Sequence, residues 1–156
     1  MNGKPLAGKG CYSAGIACNL RSASGAVKVA GVSKDVHPFI TQNAPDYDPA
    51  FGGEKDAPWQ YIKNMRDGSQ AFFKYFSVEN ASGINVEIKG DARGELECGF
   101  IRKGESAAAA SVAIPVFCAG GWLIVSAKIA VPDGVYGLSF TYKGTGAVDF
   151  KSFTLV

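Results

Sequence analysis

The chain has a single histidine, His37, among 156 residues. Catalysis built on imidazole therefore has at most one member available. That member precedes Pro38 at a strand start, where a structural or hydrogen-bonded role is the default reading. No Gly-x-Ser-x-Gly elbow and no phosphate-cradling glycine loop is present. Fourteen carboxylates offer acid and base groups by number, but none sits in a distinctive motif. The expectation is a chain without catalytic activity of its own.

Other absences narrow the classes further. The four cysteines stand at 11, 18, 98 and 118, without the paired C-x-x-C spacing of a zinc site. A Cys11–Cys18 disulfide is open, with free thiols the plainer reading. Cys98 falls on the apolar side of an alternating stretch and reads as a small core residue. Cys118 reads as a strand end. No run nears the roughly 18 apolar residues of a membrane span, and the polar, glycine-rich start over 2–10 lacks the apolar core of a signal peptide. Sixteen basic residues against fourteen acidic ones leave a net charge of +2. They form no basic stripe, so nucleic-acid binding is not expected.

What is abundant is period-two alternation. Tyr136, Leu138, Phe140 and Tyr142 share one face of a stretch whose other face is Gly137, Ser139 and Thr141. Leu123, Val125, Ala127, Ile129 and Val131 alternate with small or polar residues. So do Ile84, Val86 and Ile88, and again Leu96, Cys98 and Phe100. The stretch 106–116 alternates as well; Pro115 and the β-branched residues before it argue against a helix. Over 70–78, Phe73 and Tyr75 fall on one face and Phe72, Lys74 and Phe76 on the other. Large residues on both faces mean burial on both sides, or one face lining a cleft. Near the end, Val148 and Phe150 have one parity, Phe153 and Leu155 the other. One extra residue around Lys151–Ser152 would turn all four inward, which predicts a β-bulge. Twenty glycines supply tight turns, expected at 118–122 and 132–134. Pro45, Pro49 and Pro58, with Asp46, Asp48, Glu54 and Asp56, mark a loop, acidic enough to consider for metal but read as solvated. The pattern predicts an all-β chain, two antiparallel sheets face to face or a barrel.

Specific motifs sharpen this. Tyr61-Ile62-Lys63-Asn64-Met65-Arg66-Asp67-Gly68 followed by Ala71-Phe72-Phe73-Lys74-Tyr75-Phe76 resembles the β-sandwich module that follows the catalytic domain in many family 43 glycoside hydrolases. Gly121-Trp122, the run from Val131-Pro132-Asp133-Gly134-Val135 to Gly146, Phe153-Thr154-Leu155, and Pro38-Phe39-Ile40-Thr41-Gln42 are similar to the same module. Asn2-Gly3-Lys4-Pro5-Leu6 and Ile16-Ala17-Cys18-Asn19-Leu20 look like the segment joining it to the catalytic domain.

The resemblance implies a jelly roll of the galactose-binding-like type, similar to family 6 carbohydrate-binding modules. It implies a linker or edge segment over 1–36 and the sandwich over 37–156. It also implies a missing upstream catalytic domain on a β-propeller, of arabinofuranosidase or xylosidase type. The expected partner is then an arabinose- or xylose-containing plant cell-wall polysaccharide, held weakly, with no role for a membrane. The alternative is a purely structural domain that docks on the propeller and binds no sugar; an apolar patch near 16–20 would favour it. Trp59 and Tyr61 are the candidate sugar-stacking aromatics, against a reading in which Tyr61 is core and Trp59 caps an edge. Trp122 is a further candidate, against simple packing. The segment 143–148 is expected to be a loop. Related modules present a tryptophan and an asparagine there, and this chain has only Gly144, Thr145, Gly146 and Ala147. A structural calcium of the related modules would fall on Gln42 and Asp149, a sparse donor set for an ion that prefers six to eight oxygens. No other cofactor is expected.

Overall fold

The computed structural model describes residues 6–7, 10–21, 38–40 and 61–156. Nine strands appear in it: β1 (Leu6–Ala7), β2 (Gly10–Ser13), β3 (Asn19–Arg21), β4 (Phe39–Ile40), β5 (Ile62–Met65), β6 (Gln70–Val78), β7 (Gly83–Arg102), β8 (Ala108–Lys128) and β9 (Gly134–Leu155). One short 3-10 turn, Ala14–Ile16, is the sole helical element among the described residues. No helix among the described residues is long and apolar enough to cross a membrane. All pairings are antiparallel except β1 with β6.

β7, β8 and β9 form the frame. β7 pairs with β8 on one side and with β9 on the other, along nearly its whole length. The far side of β9 meets β6 over its first half, then β5 and β2 over its second. A straight ladder of this length would be one flat sheet. It is not straight. Phe140 and Phe150 both lie on β9, and a straight strand would hold them roughly 33 Å apart; their ring centroids are 4.9 Å apart. β9 therefore turns a corner between them and faces itself. The result is two layers, the β-sandwich that the alternation predicts. β6 and the first half of β9 lie in the first, β5, β2 and the second half of β9 in the second, and β7 and β8 run through both.

The corner is made by glycines facing each other across β7 and β9. Gly94 pairs with Gly144, and a Cβ on Gly94 would stand 2.1 Å from the Lys143 carbonyl oxygen. Gly146 has φ of 74°, and a Cβ there would be 2.0 Å from the Asp91 carbonyl oxygen. Only glycine permits the ladder to stay paired through so sharp a bend. Two expectations are corrected here. The segment 143–148 is no loop but paired strand throughout, and 118–122 is no turn but the bent middle of β8. Cys118 accordingly lies buried on the inner face rather than at a strand end.

Phe73, Phe76, Phe140, Phe150 and Phe153 fill the space between the layers, with edge-to-face or tilted contacts at 4.9–6.3 Å. Tyr12, from β2, closes on Phe76 and Phe153. The predicted bulge is present. Glu87 pairs with Ser152 and Ile88 with Phe150, leaving Lys151 as the extra residue, and Val148, Phe150, Phe153 and Leu155 all point inward. A second bulge escapes the sequence pattern. Phe73 pairs with Leu138 but Phe76 with Tyr136, so two residues oppose one. Phe73 and Phe76 thus share the core face, and Phe72 and Tyr75 are left on the outer one. Cys98 is in the core, where burial pushes its thiol pKa up. Cys11 and Cys18 are exposed free thiols. The short strands from the first 36 residues lie at sheet edges, on β6 and β9.

Candidate functional site

On the outer face of the second layer, four neighbouring strands align a row of side chains. Tyr61 stands just before β5, whose Ile62 pairs with Phe150. Lys151 is the bulged residue of β9. Lys89 of β7 pairs with Asp149. On β8, a register shift between Leu123 and Gly120 places Gly121 and Trp122 opposite Lys89. Tyr61 and Trp122 begin three strand spacings apart, roughly 14 Å in a flat sheet. Their rings nevertheless meet edge to face, with centroids 5.1 Å apart and planes at 86°. Lys89 Nζ lies 5.5 Å from the Tyr61 ring centre and 4.8 Å from that of Trp122. Lys151 Nζ is 5.2 Å from the Trp122 ring. The aromatic faces carry negative potential, which draws ammonium groups to them.

The sequence candidates separate as follows. Tyr61 and Trp122 come together. Tyr61 is only 3% exposed, so its ring supports its neighbour, and the half-buried Trp122 offers the solvent-facing surface. Trp59 and Gln42 lie outside the described residues, as do His37 and the acidic loop. Asp149 is half-buried on the same outer face. Its Oδ1 accepts the Asn64 N–H at 3.1 Å. Asn64 has φ of 69°, a conformation asparagine tolerates better than most residues. That local twist lets Ile62 and Met65 both enter the core while the Asn64 N–H turns to the carboxylate.

Among the described residues, no group of three or more His, Cys, Asp or Glu side chains is placed to hold a metal. Asp149 is one carboxylate, already engaged with a backbone N–H, and ammonium groups are its neighbours in the row. Lys89 and Lys151 were not singled out from the sequence. Their signal was available only through register, as polar positions opposite Trp122 and Tyr61.

The first layer carries a pocket of about 170 Å³ lined by Phe72, Tyr75, Ile101, Arg102, Glu105 and Gly137, among others. This is the cleft that aromatics on both faces of β6 foreshadow. Its rings are attended by cations as well: Arg21 stands over Phe72 at 5.3 Å, and Lys103 over Tyr75 at 5.2 Å. Phe117, 66% exposed on β8, stacks with Arg93 at 4.7 Å.

A family 6 carbohydrate-binding module from Clostridium cellulolyticum, solved in complex with xylose, superposes with a TM-score of 0.68 at 9% identity, covering 97% of this chain and 99% of that one. The chain has the family 6 carbohydrate-binding-module fold. The same sandwich occurs within a longer protein, a glycoside hydrolase family 43 arabinoxylan arabinofuranohydrolase from Bacillus subtilis. The TM-score there is 0.61 at 12% identity, over 98% of this module and 28% of that chain. In sequence, the module is 37% identical over 155 residues to a xylosidase/arabinosidase from Thermoclostridium stercorarium. That match covers 97% of the module but spans only 30% of the relative's length. No family model matches the sequence.

Proposed function

We propose that the chain is a non-catalytic accessory module of a hemicellulose-degrading glycoside hydrolase, of arabinofuranosidase or xylosidase type. In this reading it holds xylose- or arabinose-containing chains against Trp122. The observation that carries it is the Tyr61–Trp122 pair. A half-open indole, braced edge-on by a buried phenol and flanked by ammonium donors, matches what a sugar needs. The apolar C–H face of a pyranose lies on a ring, and its hydroxyls meet polar groups at the rim. The 37% identity to a xylosidase/arabinosidase supports the class of polymer, and the family 43 chain with the same sandwich supports the role of an attached module. Trp59 is proposed as a further sugar-contacting aromatic. Binding needs no metal, and EDTA is expected to leave the melting temperature nearly unchanged; a large drop restored by calcium would reinstate a site on Gln42 and Asp149.

The alternative, a domain that only docks on its catalytic partner, would be favoured by an apolar patch near residues 16–20. Ile16 is 47% exposed, but Ala17 and Leu20 pack against the core, so the described residues offer no such patch. Calorimetry with xylo- and arabino-oligosaccharides decides between the two. Binding that weakens by about 1–3 kcal/mol in Trp122→Ala, the cost of truncating an anchor, supports the sugar reading. Absence of binding to any plant polysaccharide leaves docking as the function.

A further inference from the structure

We infer that this corner prefers an acidic sugar, a uronate carried on the glycan, and that Lys89 reads its carboxylate. The inference rests on the sugar reading of Trp122 and extends it to the class of substituent. A neutral sugar needs one stacking face and hydrogen-bonding groups of either kind. The row across β5, β9, β7 and β8 holds more than that. Two ammonium groups lie within 5.2 Å of the centre of the same indole.

Lys89 is half-buried, and no carboxylate among the described residues lies within ion-pair distance of it; the ion pair found among them is Lys143–Glu97, at 3.7 Å on the first layer. The nearest acid in register, Asp149, is turned to the Asn64 N–H. Lys89 is therefore a cation held against the Tyr61 and Trp122 rings, with no anionic partner among the described residues. A pyranose stacked on Trp122 would bring its ring substituents within reach of that ammonium group. A carboxylate there gains a charge-assisted hydrogen bond that a hydroxymethyl group cannot match. Lys151, the bulged residue of β9, holds a second ammonium group against the same indole.

The test compares native glucuronoxylan with the same polymer after carboxyl reduction, which turns each uronate into a neutral sugar and leaves the backbone intact. By affinity electrophoresis or calorimetry at low salt, the native polymer should bind about ten-fold more tightly, with the gap closing as ionic strength rises. Lys89→Met should reduce that ratio to near one, and Lys89→Arg should retain most of it. Lys143→Met, the same charge removed from the other layer, should leave it unchanged. Thermal unfolding of each variant confirms that it is folded. Equal binding of the two polymers by the wild type overturns the inference while the sugar reading stands. An undiminished ratio in Lys89→Met overturns it too, as does an equal loss in Lys143→Met, which would mean diffuse attraction to a polyanion. If neither polymer binds, the inference and the sugar reading fall together.

Discussion

The two outer faces of the sandwich share the frame of β7, β8 and β9 and end differently. On the first layer, polar side chains answer one another: Lys143 reaches Glu97, and the Gln70 amide donates to Thr141 Oγ1 at 3.2 Å. Its rings, Phe72 and Tyr75, line a pocket together with Gly137. On the second layer the rings meet, and Lys89 sits under them with no answering carboxylate among the described residues. What sets the second layer apart is that two rings meet there over one ammonium group, which joins a stacking surface to a polar partner. Both faces rest on the same core, so differences in binding between them trace to these few side chains.

The comparison is broken most severely through that core. Phe153 touches rings from both layers, and Phe153→Ala should cost about 3–5 kcal/mol of unfolding free energy, read by denaturant titration. A loss under about 1 kcal/mol would mean the layers are not packed through it. Next comes the corner. Gly94→Ala puts a methyl into the Lys143 carbonyl, and about 1–3 kcal/mol should be lost; a neutral result would show that the bend relaxes freely. Sharper in meaning is Tyr75→Ala, which should leave xylo-oligosaccharide affinity within experimental error while Trp122→Ala weakens it. The reverse pattern would move the site to the first-layer pocket. Smallest is Lys143→Met. An exposed pair contributes about 0.2–1 kcal/mol, so the melting temperature should barely change.

Much of this was legible in the sequence where a single strand suffices to decide. The parity break between Phe150 and Phe153 located the bulge at Lys151, because four large apolar residues at the end of a chain have few ways to be buried. The corner was not legible. Gly120, Gly144 and Gly146 look like loop glycines one strand at a time. Only their partners across the ladder, Gly90 for Gly120, Gly94 for Gly144 and Ala92 for Gly146, show that they keep it intact while it bends. The parity of Phe72, Phe73, Tyr75 and Phe76 misled for a similar reason, since the bulge that reassigns them is a mismatch with β9 and not a feature of β6. Tyr61 and Trp122 were nameable separately as aromatics in recognisable motifs. Their meeting, and the lysines beneath them, depend on the register of four strands.

The pairing of β2 with the end of β9 has a kinetic side. Gly10 lies against Leu155, almost the whole chain away in sequence, whereas β7 and β8 are joined by a short turn. Closing so long a loop costs entropy before any contact rewards it. The β7–β8 hairpin is thus the natural early structure, and the strap that seats Tyr12 against Phe76 and Phe153 is a late one. Tyr12→Ala should accordingly speed unfolding and leave the refolding rate nearly untouched in stopped-flow experiments. Slowed refolding would place the strap in the nucleus instead.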